Sequence, residues 1–271
     1  MEYSVLMAVY KNEKAEFLQE SIESILNQTI KTDDFVIVWD GPLTSELERV
    51  LENYKNKLPD VFRFLKLNSN VGLGEALNQG VKFCKHQFIA RMDSDDIAIP
   101  ERMEWQLEAF EQNSQLSLCG GQIAEFFFEH NNISNVREVP CEHNEILTYA
   151  KKRNPMNHMT TMFKKNAVLD VGNYLHMNMA EDYYLWVRML IKGYQVQNIP
   201  KVLVKVRIGN GMFDRRGGLQ YALNMYQLMS TLHRLRFING IEFIKCLSIR
   251  IILSLVPSNI RKLIYKKLLR K

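Results

Sequence analysis

The chain has 271 residues, 46% of them apolar, with 35 Lys and Arg against 30 Asp and Glu, 13 Gly, 7 Pro and 4 Cys. This composition excludes a disulfide-stapled miniprotein, a collagen-like or low-complexity chain and a disordered polyelectrolyte, and the length allows one large core with at most a small appendage. The net charge of +5 is unevenly placed, because Phe243 to Lys271 carries eight basic residues and no acidic one, leaving 27 basic against 30 acidic in the first 242.

The first hundred residues alternate between two hydrophobic periods. Tyr3 to Tyr10 reads as a buried strand, and Glu16 to Gln28 sets Leu18, Ile22 and Ile25 on one helical face. Phe35 to Trp39 is a second strand, stopped by Asp40-Gly41-Pro42, and Leu43 to Tyr54 is a helix. Val61 to Leu67, Gly74 to Cys84 and Gln87 to Met92 continue as strand, helix and strand. Such alternation requires crossover connections and predicts a largely parallel sheet covered on both faces.

The middle third is less regular. It contains a helix at Pro100 to Glu111, an apolar run at Leu116 to Phe128, a helix near Glu142 to Lys152, the segment Asn154 to Phe163, a turn at Gly172-Asn173-Tyr174 and a helix from about Glu181. No compositional break separates it from the first part, so one domain is expected over residues 1–211. Leu219 to Arg236 and Gly240 to Lys271 have helical patterns, and residues 212–271 are expected to form a basic helical appendage. Cys84, Cys119, Cys141 and Cys246 lack CxxC spacing, which favours a reducing compartment over a zinc site or disulfide framework. Met1 to Ser4 lacks the basic and apolar parts of a secretory leader. No run reaches the ~20 uncharged apolar residues of a spanning helix.

The strongest chemical signal is Asp93-Ser94-Asp95-Asp96, directly after an apolar strand. Three crowded carboxylates repel one another and call for a cation, and hard oxygen ligands suit Mg2+ or Mn2+ shared with a substrate phosphate. A solvated acidic turn is the plainer reading. A calcium loop fails, since Ile97 and Ala98 stand where it needs an oxygen ligand and a glycine. Asp40 closes the second strand, at the edge where open α/β sheets bind ligands; it is either a ligand contact or part of an Asp-Gly turn. Asn70-Val71-Gly72-Leu73-Gly74, followed by Asn78, lets the backbone approach a ligand without matching a known phosphate loop. Glu181-Asp182 opens an amphipathic helix, as a general base on a rigid element or as simple dipole-favoured acids. Arg207 and Arg215-Arg216, among glycines, offer planar forks for a diphosphate or merely a solvated loop.

In this order and spacing the motifs resemble glycosyltransferase family 2, the inverting nucleotide-sugar-dependent enzymes with the GT-A fold. The resemblance spans residues 3–210. It rests on Ala8-Val9-Tyr10-Lys11-Asn12-Glu13, Val38-Trp39-Asp40-Gly41, Asn70-Val71-Gly72 with Ala76 and Asn78, Asp93-Ser94-Asp95-Asp96 with Pro100-Glu101-Arg102, and Glu181-Asp182-Tyr183 with Trp186. The later segments are most similar to the bacterial branch that builds O-antigen, capsule and exopolysaccharide.

The resemblance implies an α/β GT-A fold, Rossmann-like with a mainly parallel sheet; the amphipathic C-terminal helices are expected from the residue pattern alone. The resemblance places Tyr10, Glu13, Asp40, Asn70, Gly72, Asn78, Asp93 and Asp95 at the nucleotide sugar, where the planar forks of Arg207, Arg215 and Arg216 are also expected. Asp95 or Asp96 would hold Mn2+ or Mg2+, and Asp182, with Glu181 as alternate, would be the base. Trp39 stands where the family commonly has a second Asp, and Asn173 where a Gly-Gly turn is usual. The implied reaction moves a sugar, a hexose on UDP in the commonest case, to a polyprenyl-diphosphate-linked saccharide. A non-catalytic nucleotide-sugar module would lose the acid cluster or the Glu181-Asp182 pair. A nucleotidyltransferase would carry a Gly-rich, Arg-containing loop where Tyr10-Lys11-Asn12 stands.

The C-terminal segment interleaves Ile241, Ile244, Ile251, Ile252, Leu255, Val256, Leu263, Ile264, Leu268 and Leu269 with its eight cations. That pattern predicts helices lying on an anionic membrane surface, rather than a nucleic-acid contact, for which no motif is present. The expected location is cytoplasmic, peripheral on the inner face of the plasma membrane.

Overall fold

The computed structural model describes residues 1–127, 130–209 and 217–256. Its first part alternates β1 (Tyr3–Val9), α1 (Ala15–Leu26), β2 (Asp34–Trp39), α2 (Ser45–Lys57), β3 (Phe62–Lys66), α3 (Leu73–Phe83) and β4 (Phe88–Met92). These strands pair in parallel in the order β3-β2-β1-β4. Then follow β5 (Ile97–Ala98), α4 (Arg102–Gln112), β6 (Leu116–Phe126), β7 (Ile133–Arg137), α5 (His143–Ala150), β8 (Met162–Lys164), α6 (Lys165–Asp170), α7 (Glu181–Ile191), β9 (Gln195–Arg207), α8 (Gly218–Arg234) and α9 (Gly240–Leu255).

β1, β2 and β4 are mainly apolar because both faces are covered, and side chains alternate between two cores. Val5, Met7, Phe35 and Ile37 pack with Leu18 and Ile22 of α1, Leu47 of α2 and Leu107 of α4. Leu6, Val36 and Val38 pack the other way, with Leu77 and Val81 of α3 and Trp186 of α7. Gly80 lets α3 lie close on the sheet: a Cβ there would stand 2.4 Å from Leu6 Cδ1 and 2.9 Å from Val38 Cγ2.

The sheet continues past β4 through β8, β6 and β9 to β5, with β7 on β6. β8 runs antiparallel to both β4 and β6, whereas β6 and β9 are parallel to each other. Six of the nine described strands therefore share one direction, and β5, β7 and β8 oppose it. The sequence reading had no strand for β9, because Asn198, Pro200 and Lys201 interrupt its pattern. The register steps from Gly121↔Ile199 to Gln122↔Val202, so Pro200 and Lys201 bulge out of the ladder and the missing proline N–H costs nothing.

Helix α8 buries Met225, Leu228, Met229 and Leu232 in the core that holds Trp186. Residue 211, the expected domain limit, and residues 257–271 lie outside the described residues. The close seat of α3 makes Gly80→Ala an overpacking change: it should destabilise by about 1–3 kcal/mol, read as a lower urea midpoint with an unchanged slope.

Candidate active site

The carboxyl ends of β1, β2 and β4 and the N-terminus of α7 bring the site residues to one region. At the end of β2, Asp40 accepts from Val71 N at 2.6 Å, Gly72 N at 3.1 Å and Asn70 Nδ2 at 2.9 Å. Its carboxylate thus moulds the loop that opens α3. Gly41, at φ +84°, allows this: a Cβ there would stand 2.6 Å from Asn70 N. Trp39 faces the other side of β2, in the core with α1 and α2. Lys66 lies 3.7 Å over its ring.

At the end of β1, Tyr10 is exposed and its carbonyl accepts from Glu13 N. Glu13 accepts in turn from Ser94 Oγ and so touches the acid cluster. Ser21 of α1 donates to the Asp93 carbonyl at 2.8 Å, and Arg102, fully buried at the start of α4, donates to the Arg91 carbonyl at 2.7 Å. The acidic turn is therefore fixed from both sides. Asp96 is buried and accepts from Arg207 N at 2.9 Å. The Arg207 guanidinium donates to the Asp95 carbonyl and to Glu20, and stands 3.9 Å over Phe17 and 4.7 Å over Phe126. This arginine, expected at the nucleotide sugar, ties β9 to the acids. Arg215 and Arg216 lie outside the described residues.

On the opposite side, Asp182 accepts from Asn154 Nδ2 at 2.6 Å. Glu181 packs toward the α3 loop, its Cβ 3.3 Å from where a Gly74 Cβ would stand. Asn173 explains the departure from a Gly-Gly turn: it adopts φ +59° beside Gly172 at +89°, a conformation Asn tolerates better than most residues. Its Nδ2 also grips the Asn78 carbonyl at 2.8 Å and side chain at 2.7 Å. Asn78 is thus held by the α6–α7 turn and Glu75.

Arg91, 2% exposed, donates to the Asp93 carboxylate. Its charge bears on Asp95, Asp96, Glu181 and Asp182 as well. Even so, burial and mutual repulsion dominate. Asp95 is pushed up to about 7 by burial and by the charges of Asp93 and Glu13. Asp96 is raised well above the usual carboxylate range by burial and by Asp95 and Asp93. Burial also raises Asp182, against hydrogen bonds from Tyr183 N and Asn154, and burial with the charge of Asp182 raises Glu181. His158, well below its ordinary value through burial, is neutral and pairs with the Tyr174 hydroxyl at 2.8 Å.

Sequence reasoning passed over Arg91 and Asn154. The first had a signal: a charged residue inside the apolar strand Phe88–Met92 has to be buried with a partner. The second had none, for nothing in Asn154-Pro155 indicates which helix terminus it will meet.

Among the described residues no group of three or more His, Cys, Asp or Glu side chains converges as a ready-made metal site. Two crowded acids nonetheless suit a divalent ion that completes its shell with water and substrate phosphate. An ion there would relieve the repulsion that raises Asp95 and Asp96.

Fold and site together define an α/β enzyme with its acids at the carboxyl edge of the sheet. The sequence model of Glycosyl transferase family 2 matches residues 4–174. The chain belongs to that family and is a glycosyltransferase. It is 37% identical over 268 residues to the amylovoran biosynthesis glycosyltransferase AmsE of Erwinia amylovora, covering 98% of each chain. It is 36% identical over 269 residues to the UDP-Gal:alpha-D-GlcNAc-diphosphoundecaprenol beta-1,3-galactosyltransferase of Escherichia coli, covering 99% of this chain and 97% of that one. Among solved structures, a mannosyltransferase of Pyrobaculum calidifontis in complex with GDP-Man and Mn2+ superposes with TM-score 0.66 at 15% identity, over 92% of this chain and 69% of that one. That likeness shows the fold, GT-A.

The raised acidity constants have a consequence for stability. A carboxyl group whose folded value lies above its unfolded one favours the folded state fully at low pH, and that contribution is lost as pH rises through the folded value, about 7 for Asp95. Asp95→Asn should therefore melt higher than the parent at pH 8.5 without added metal, by about 2–4 °C. The gap should close towards pH 4, as read by differential scanning fluorimetry.

Proposed function

We propose that the protein transfers a hexose from a UDP-sugar, with inversion at the anomeric carbon, to a saccharide carried on polyprenyl diphosphate at an anionic membrane surface. The observation that carries this reading is that one buried arginine, Arg91, acts on two acid groups at once, Asp93-Ser94-Asp95-Asp96 and Glu181-Asp182. The similarity to the E. coli galactosyltransferase over nearly the whole chain supports the choice of donor and acceptor. Residues 1–211 carry the transfer, and residues 212–271 carry the attachment.

Donor binding falls to the strand ends. Tyr10, exposed beyond β1, takes the base, with Glu13 beside it. Asp40 acts mainly through the loop it shapes, whose Asn70, Val71 and Gly72 face the nucleotide, and Asn78 braces that loop from α3. Asp93 orients the sugar and ribose, held by Arg91. Asp95 and Asp96 would hold Mn2+ or Mg2+, which when bound supplies positive charge to the leaving diphosphate. Arg207 keeps Asp95 and Asp96 in place, and Arg215-Arg216, which follow it in the sequence, would meet the diphosphate.

The acceptor hydroxyl oxygen forms a bond to the anomeric carbon as the bond to the diphosphate breaks, and its proton passes to Asp182. No covalent sugar–enzyme intermediate is needed. Asn154 fixes the orientation of Asp182, and burial brings its proton affinity closer to neutral pH, where a base works best. Glu181 is the alternate base, with a similarly raised value.

Asp182→Asn should lower kcat by at least about 100-fold, the scale of a lost general base. UDP affinity should hardly change. Asp95→Asn or Asp96→Asn should abolish transfer and weaken Mn2+-dependent UDP binding in calorimetry. Near-normal turnover in all three variants would refute the assignment. With an α-linked UDP-hexose, NMR of the product should show the β anomer.

A further inference from the structure

Helix α9 turns an apolar face outward. Ile241, Ile244, Ile249 and Ile252 are 68%, 64%, 60% and 62% exposed, and Lys245 and Ser248 complete the same stripe at positions i+4 and i+7 from Ile241. α8, which packs along α9 through Tyr226 and Phe243, adds exposed Leu219, Leu223 and Tyr226. Four isoleucines in a row at this exposure are not an ordinary solvated face, because scattered single apolar residues are the norm on soluble surfaces.

Charge is sorted in the same sense. Glu242, the only acid of α9, caps its own helix with Asn239 and pairs with Lys151 at 3.3 Å. Arg250 is turned inward too, donating to the Lys152 carbonyl at 2.8 Å. The outward stripe therefore holds one cation and no acid. The sequence that follows, from Pro257 to Lys271, adds Arg261, Lys262, Lys266, Lys267, Arg270 and Lys271 and no acid. An apolar stripe with cations and without acids matches the headgroup region of an anionic bilayer, which attracts each nearby Lys or Arg.

The inner side of α9 relates that surface to the chemistry. Cys246 Sγ and Arg250 meet the carbonyls of Lys151 and Lys152, just after α5. The same short segment ends at Asn154, which holds Asp182, and its Ala150 carbonyl accepts from the Tyr183 hydroxyl. α9 is thus joined to the candidate base through residues 150–154.

We propose that the outward face of α9, with Ile241, Ile244, Lys245, Ile249 and Ile252, inserts into the headgroup layer of an anionic membrane and brings the Asp182 side of the site to a lipid-borne acceptor. The orientation toward the acceptor rests on the function proposed above; insertion of the helix does not.

The test uses the full chain, sedimented with vesicles of 30% phosphatidylglycerol in phosphatidylcholine. The quadruple variant Ile241→Ser, Ile244→Ser, Ile249→Ser and Ile252→Ser should fold normally by circular dichroism, since these side chains are exposed. It should bind the vesicles at least about tenfold more weakly than the parent, a loss of about 1.4 kcal/mol. Lys245→Glu should weaken binding in the same direction. Hydrolysis of a nucleotide sugar in solution should be unchanged, while KM for an acceptor carried in vesicles rises. Equal vesicle binding by parent and quadruple variant would overturn the proposal. So would a parent dimer, without vesicles, that the quadruple variant dissociates in sedimentation velocity, because the face would then join two copies. If the parent hydrolyses no nucleotide sugar but its binding depends on the isoleucines, the functional reading fails and the insertion stands.

Discussion

Five carboxylates that share the field of one buried arginine set the terms for the rest of this protein. Arg91 projects from β4, pairs with Asp93 and acts electrostatically on Asp95, Asp96, Glu181 and Asp182. A single guanidinium cannot balance five acids, and the raised values of four of them record the deficit. Removing a buried cation of this kind costs more than the pair contributes, because it leaves charge without compensation. The site is therefore held together by other means: Ser21 and Arg207 hold the main chain of the acidic turn, Arg102 holds the end of β4 just before it, and Asn154 fixes Asp182.

That deficit also makes these positions suited to the chemistry proposed for them. A cluster of acids that is poorly compensated by its own protein is receptive to a divalent ion and a diphosphate that arrive together. A base with raised proton affinity is suited to take a proton from a sugar hydroxyl near neutral pH. The same arrangement makes the unliganded protein less stable than one with neutral residues there, a compromise common at active sites. The cations have their own bias along the sequence, where Phe243 to Lys271 carries eight of them and no acid.

Much of this was legible in the residues. The period-two and period-3.6 alternation up to Met92 marks four strands and three helices because both sheet faces are covered and loops are short. Asp93-Ser94-Asp95-Asp96 and Glu181-Asp182 stand out because carboxylates directly follow an apolar strand or open an amphipathic helix. The second half was harder to read. β8 is three residues long and β9 carries a proline bulge, so neither shows a clean period. Their pairing is decided by contacts far apart in the chain, as is the meeting of Asn154 with Asp182. Arg207 illustrates the other limit: its residue type announces phosphate binding, while its surroundings, Glu20 and two phenylalanine rings, occupy the guanidinium.

The central claim is that the acidic turn after β4 receives the metal and diphosphate of a nucleotide-sugar donor opposite Asp182. A crystal structure with UDP and Mn2+ tests it most directly. The account predicts Mn2+ about 2.0–2.3 Å from a carboxylate oxygen of Asp95 or Asp96, at the usual bond length for such ions, with the diphosphate on the ion and the uracil near Tyr10. Mn2+ and UDP bound at another edge of the sheet, with both carboxylates free of metal, would contradict it.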